Sequence, residues 1–168
     1  TQKAVGRAIF EFNKGLIDTL CDIIPAIKPQ LAYYEMYGVE GMIAFNDTVQ
    51  YAKEKGMYII ADGKRNDIGS TAEAYAKAYL GGESEFGGAF YADSLTINGY
   101  LGTDGIKPFI KACKENDKSV FMLVKTSNPS SGELQNIVCG KGTIFNVVAE
   151  LGNSVSLDTV GKFGYSRL

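Results

Sequence analysis

Apolar positions along this chain follow two periods, one helical and one extended. Residues 8–20 place Phe12, Leu16 and Ile17 or Leu20 near one face, which predicts a helix. Residues 23–28 are a short apolar run closed by Lys28-Pro29-Gln30, which reads as a strand. Residues 33–37 are aromatic and suit a short helical turn. Residues 39–55 read as a helix ended by Gly56. Residues 57–62 are an apolar strand that runs into charge. Ser70-Thr71-Ala72-Glu73 has the form of a capping box, so a helix is expected from there to Leu80, stopping at Gly81-Gly82. Residues 83–88 are expected to be loop, 94–98 strand, 104–114 helix and 119–125 strand. Residues 127–142 read as a long polar loop with an Asn-Pro turn signal, and a helix is expected from Thr143 to about Leu151.

Strands alternating with helices predict an α/β fold on a parallel sheet, and near-continuous apolar strands suit a sheet buried on both faces. All 168 residues read as one domain, with no linker or repeat. The pattern starts and ends on helices. Four strand candidates are about half of a (β/α)8 TIM barrel, which takes roughly 250 residues. A small doubly wound sheet of the flavodoxin type is the alternative, and periodicity does not choose between them.

Composition narrows the chemistry. The net charge is -2 with mixed signs, so nucleic acid is not an expected partner. The apolar stretches are too short for a bilayer span, and nothing opens the chain like a secretion signal, so the expected compartment is the cytoplasm. Cys21, Cys113 and Cys139 are scattered and form no CxxC pair, which suits reduced thiols. The chain has no histidine, which removes imidazole acids, bases and metal ligands. Proton chemistry would fall to Lys, Asp, Glu, Tyr or Cys.

The most informative segment is Ala61-Asp62-Gly63-Lys64-Arg65-Asn66-Asp67-Ile68-Gly69-Ser70-Thr71, where a strand gives way to a helix. Parallel α/β proteins build their sites at such junctions. Strand alternation would turn Asp62 and Lys64 the same way, with α-carbons about 7 Å apart. Asp67 follows closely, so two acids and a lysine are expected together. Carboxylates favour the charged form of a neighbouring ammonium. Such a lysine is a cation and a proton donor to a developing carbanion, while a carboxylate beside the substrate would repel an anionic leaving group. That suits loss of CO₂ followed by protonation of the carbon left behind. The bland alternative is an ordinary ion pair at a surface turn. Lys28, ending the preceding strand, is either a solvated cap or a second cation on Asp62. The loop Lys125-Thr126-Ser127-Asn128-Pro129-Ser130-Ser131-Gly132 either binds a polar ring or an anion or is a flexible serine-rich loop, and Asn98 is either a weaker candidate or a turn cap.

Taken in order, Phe10-Glu11-Phe12-Asn13-Lys14, Lys28-Pro29-Gln30-Leu31-Ala32-Tyr33-Tyr34-Glu35, 61–71, Leu95-Thr96-Ile97-Asn98 and 124–132 resemble orotidine 5′-phosphate decarboxylase of the longer bacterial group. The Asp-x-Lys-x-x-Asp core is shared with a wider superfamily, whereas the adjoining Ile-Gly-Ser-Thr and the Thr-Ser-Asn-Pro loop are more specific. The resemblance implies a (β/α)8 barrel acting as a homodimer on orotidine 5′-monophosphate, giving UMP, with no metal or organic cofactor. Lys28 would orient Asp62, Asp62 and Asp67 would destabilise the substrate carboxylate, and Lys64 would protonate C6. Asp67, Ile68 and Thr71 would reach a site shared across the dimer, and Asn98 and Ser127 would contact substrate. By the same resemblance the barrel is incomplete: the first strand and the C-terminal strands have no counterpart in 1–168, and the isolated chain is expected to be inactive, with exposed strand edges. Gly99 stands where the resemblance leads one to expect proline, which would loosen the turn after Asn98. A Mg²⁺-dependent sugar-phosphate lyase or decarboxylase sharing the core motif, and a non-catalytic α/β scaffold, are the competing readings.

Overall fold

The computed structural model describes residues 1–82, 88–140 and 142–168. The first helix, α1 (Gln2–Leu20), begins six residues before the expected boundary because Thr1 caps it, its hydroxyl accepting from Ala4 N. Then come β1 (Ala26–Ile27), α2 (Ala32–Glu35), α3 (Gly38–Glu54), β2 (Tyr58–Arg65), α4 (Gly69–Leu80), β3 (Ser94–Asn98), α5 (Thr103–Asn116) and β4 (Ser119–Leu123). The expected loop at 83–88 lies outside the described residues except for Gly88.

All four strands are parallel and lie in the order β1-β2-β3-β4. A doubly wound sheet reverses its winding at a switch point, whereas a barrel adds each strand beside the last. The unbroken order therefore decides for consecutive βα units of a barrel. Register and pleat define two faces. Ile59, Ala61, Leu95, Ile97 and Val120 point outward and form one core with Phe45 and Val49 of α3, Ala76 and Leu80 of α4, and Ile106 and Phe109 of α5. Tyr58, Ile60, Asp62, Ser94, Thr96, Phe121 and Leu123 occupy the alternate positions. Phe121, in register with buried Thr96, is 52% exposed. Burial on both faces was expected, but only the helix-covered face is fully packed among the described residues.

Two further expectations are corrected. The helix after β2 starts at Gly69 with Ile68 as an extended cap, and no side chain caps it; Ser70 already lies in the first turn, so its sequence does not act as a capping box. The real capping box is Thr143 with Asn146, at the start of α7 (Ile144–Ser156). The stretch 127–142 is not one open loop. It contains a 3-10 turn (Pro129–Ser131), α6 (Gly132–Gln135) and the hairpin of β5 (Val138–Cys139) and β6 (Gly142–Thr143). Beyond α7, Arg167 O accepts from Val120 N at 2.8 Å, so the last residues lie along the outer edge of β4. Among the described residues no helix is long and apolar enough to cross a membrane.

Candidate active site

The carboxyl ends of β1, β2 and β3 converge on Asp62, which is 4% exposed. Its Oδ2 accepts from Lys28 Nζ at 2.9 Å and Gln30 Nε2 at 3.0 Å. Its Oδ1 accepts from Lys64 Nζ at 2.6 Å and Thr96 Oγ1 at 2.8 Å. Burial pushes this carboxyl up, but the hydrogen bonds from Lys64, Lys28 and Thr96, with the charge of Lys28, outweigh it and hold Asp62 at about 2. Asp62 is thus ionised at neutral pH, and two ammonium groups against one carboxylate leave the cluster net positive. The side chains of Lys28 and Lys64 remain 57% and 45% exposed, so both cations face open space on the concave side.

The sequence reading placed Asp62 and Lys64 together by regular alternation. The contact exists, but it is made differently. Between Ala61 and Arg65, β2 advances four residues while β3 advances two, from Leu95 to Ile97. Lys64 there adopts φ of 47°, a left-handed conformation that costs a non-glycine residue roughly 1–2 kcal/mol. Lys64 N donates to Thr96 Oγ1 at 2.9 Å, so Thr96 bridges the backbone of one site residue and the carboxylate of the other. Gln30 and Thr96 went unnoticed in the sequence. The period-two rule would have found both: Gln30 is two residues past Lys28, and Thr96 two before Asn98.

Asp67 is not part of this cluster. No hydrogen bond or ion pair among the described residues joins it to Lys28, Asp62 or Lys64; its Oδ1 accepts from Ile68 N at 2.8 Å. The expected gathering of two acids around Lys64 within one chain is therefore corrected: the Asp67 carboxylate bonds to the backbone beside it and not to the lysines. Ile68 and Thr71 are exposed beside Asp67. Asn98 acts as a cap, its Oδ1 accepting from Tyr100 N at 3.0 Å, while it also lines a pocket of about 280 Å³ with Leu123, Thr126 and Gln135. The turn after it is not loose, since Gly102 N donates to Gly99 O at 2.9 Å. A β-carbon at Gly99 would sit 2.6 Å from Met122 Sδ, so a larger residue there would require Met122 to shift. Ser127 is exposed in the loop after β4, which is pinned where Thr126 N donates to Gln135 Oε1 at 2.9 Å. The three cysteines are free thiols, and burial pushes Cys113 up to about 12.

Known proteins resemble this chain over nearly its whole length. The model of the orotidine 5′-phosphate decarboxylase / HUMPS family matches residues 7–161. Orotidine 5′-phosphate decarboxylase of Rhodopirellula baltica is 40% identical over 162 residues, 96% of this chain and 54% of the relative. The enzyme of that name from Caldicellulosiruptor saccharolyticus is 43% identical over 163 residues, 95% and 53% of the two lengths. The solved OMP decarboxylase of Leishmania donovani superposes with a TM-score of 0.76 at 33% identity, covering 86% of this chain and 54% of that one. The chain spans about half the length of the curated relatives it matches. Its four βα units are part of the (β/α)8 architecture of these neighbours. The chain belongs to the orotidine 5′-phosphate decarboxylase / HUMPS family.

Proposed function

We propose that the protein carrying this chain converts orotidine 5′-monophosphate to UMP. The observation that carries the reading is the buried, ionised Asp62 holding two half-exposed ammonium groups at the carboxyl edge of a parallel sheet. In this reaction the bond from C6 to the carboxylate breaks, its electron pair stays on C6 and CO₂ leaves. Lys64 then donates a proton to C6 and regains one from water. A cation already beside C6 stabilises the developing carbanion without reorganisation. Asp62 has two tasks. It holds Lys28 and Lys64 in place, and its charge beside the substrate carboxylate makes departure of neutral CO₂ more favourable. The net positive cluster suits an anionic nucleotide.

On this reading the enzyme works as a homodimer in the cytoplasm without metal or organic cofactor. Asp67, Ile68 and Thr71 serve the partner's site; the exposure of Ile68 and Thr71, and the separation of Asp67 from its own chain's cluster, support that. Ser127 contacts the pyrimidine, and Asn98 shapes the pocket. The four βα units act within a single (β/α)8 domain, in keeping with the open concave face and the half-length match to relatives. The test is to incubate the purified full-length gene product with orotidine 5′-monophosphate and to follow UMP and CO₂. Stoichiometric release of both, undiminished by EDTA and lost in Lys64→Ala, is expected. A folded protein that releases neither overturns the proposal, and EDTA-sensitive turnover overturns cofactor independence.

A further inference from the structure

We infer that Arg65 is a positioning residue for the Lys64 ammonium: from the outer side of the sheet it clamps the peptide unit whose orientation aims that lysine at Asp62. The kinetic half of its test rests on the decarboxylase reading above; the structural half does not.

The argument turns on the peptide joining Gly63 to Lys64. Its N–H, on Lys64, donates to Thr96 Oγ1 at 2.9 Å. Its carbonyl, on Gly63, accepts from Arg65 Nη1 at 3.2 Å. Both ends of one peptide unit are therefore fastened, on the concave side by Thr96 and on the outer side by Arg65. That unit sets the φ of 47° at Lys64, a conformation side-chain-bearing residues rarely choose unless their surroundings enforce it. In that conformation the Lys64 ammonium meets the Asp62 carboxylate at 2.6 Å.

Arg65 is itself held rigidly enough to impose this. Its Nη2 pairs with Glu35 of α2 and donates to Tyr79 Oη of α4 at 3.2 Å. The guanidinium carbon lies 5.7 Å from the ring centroids of both Tyr75 and Tyr79. One planar group thus ties two helices to a carbonyl adjacent to Lys64. A β-carbon at Gly63 would sit 2.6 Å from Leu31 Cδ1, so a side chain there would have to displace Leu31. A lysine at position 65 could keep the charge opposite Glu35, but a point ammonium on a flexible stem cannot span Glu35, Tyr79 and the Gly63 carbonyl together.

The experiment compares the full-length protein with Arg65→Met, Arg65→Lys and Tyr79→Phe. At saturating orotidine 5′-monophosphate, kcat is expected to fall on the order of 10–100-fold in both Arg65 variants, since about 1 Å of misplacement suffices for a loss of that size. KM and the Kd for UMP should stay within about threefold, the pattern of an interaction used only at the chemical step. Tyr79→Phe should show a smaller fall. A crystal structure of Arg65→Lys should show Lys64 out of the left-handed region and its contact with Asp62 broken. Unchanged kcat in a folded Arg65→Lys protein, or retention of the left-handed peptide and the contact, overturns the inference. So does a loss of kcat that only tracks thermal stability and recovers on cooling. If Arg65→Met does not fold, Arg65→Lys and Tyr79→Phe decide by the same criteria. If the wild type does not decarboxylate, the functional reading fails while the structural comparison still decides the clamp.

Discussion

The outward and concave faces of the four-stranded sheet are built from alternate residues of the same strands, yet they have opposite characters. Outward lie Ile59, Ala61, Leu95 and Ile97, all fully buried beneath α3, α4 and α5. Concave lie Ile60, Asp62, Thr96 and Asn98, together with Lys28 and Gln30 at the end of β1, so nearly all the polar and charged positions are on this side. Ala61 and Asp62 are neighbours in sequence, one a core residue and the other the centre of the candidate site. The outward face contributes stability by removing apolar area from water, whereas the concave face orients charges. Substitutions one residue apart should thus be felt in different observables.

Lys64→Ala tests the concave face most severely. Removing the proton donor should cut single-turnover decarboxylation by the full-length protein on the order of a thousandfold, with little change in thermal stability. Phe109→Ala tests the other face: emptying a fully buried site beneath the sheet should cost about 3–5 kcal/mol in urea unfolding, with kcat per folded molecule unchanged. A large loss of kcat there would break the separation between the faces. Asp62 sharpens it through pH. Its folded value of about 2 lies below the ordinary 3.8, so its contribution is present above about pH 4 and is lost as pH falls toward 2. The amount is about 2 kcal/mol, and the corresponding slope of stability against pH should vanish in Asp62→Asn. The smallest effect is expected at Asn98→Ala, which removes one capping bond to Tyr100 N and should cost about 1 kcal/mol of stability. If KM rises severalfold in that variant as well, Asn98 belongs to the substrate pocket and not only to the turn.

Much of this was legible in the chain. Strand β3 spans the expected Ser94–Asn98, and α3 differs from expectation by one residue at each end, because long apolar runs between clear breakers leave few alternatives. The pairing of Lys28, Asp62 and Lys64 was also readable, since Lys28 lies just beyond β1 and Asp62 and Lys64 stand two residues apart in β2. What failed was local. Ser70-Thr71-Ala72-Glu73 has the letters of a capping box, but the preceding chain comes off an irregular strand and enters the helix one residue earlier. Asp67 looked close to Lys64 by count, but its carboxylate accepts from the adjacent Ile68 N instead, and no periodic rule records such a local turn.

By itself the sequence determined the alternation of strands and helices and the kinds of groups available for proton transfer without histidine. These follow from nearest-neighbour geometry and from the partition of side chains between water and a core. Tertiary structure alone decided that the strands add sequentially rather than reverse. It also decided that Gln30 and Thr96 complete the shell of Asp62, and that the peptide before Lys64 is held in a left-handed turn. Those outcomes depend on register between strands and on contacts with α2 and α4, separated from the site by up to dozens of residues, and only the packed chain brings such groups within hydrogen-bonding distance.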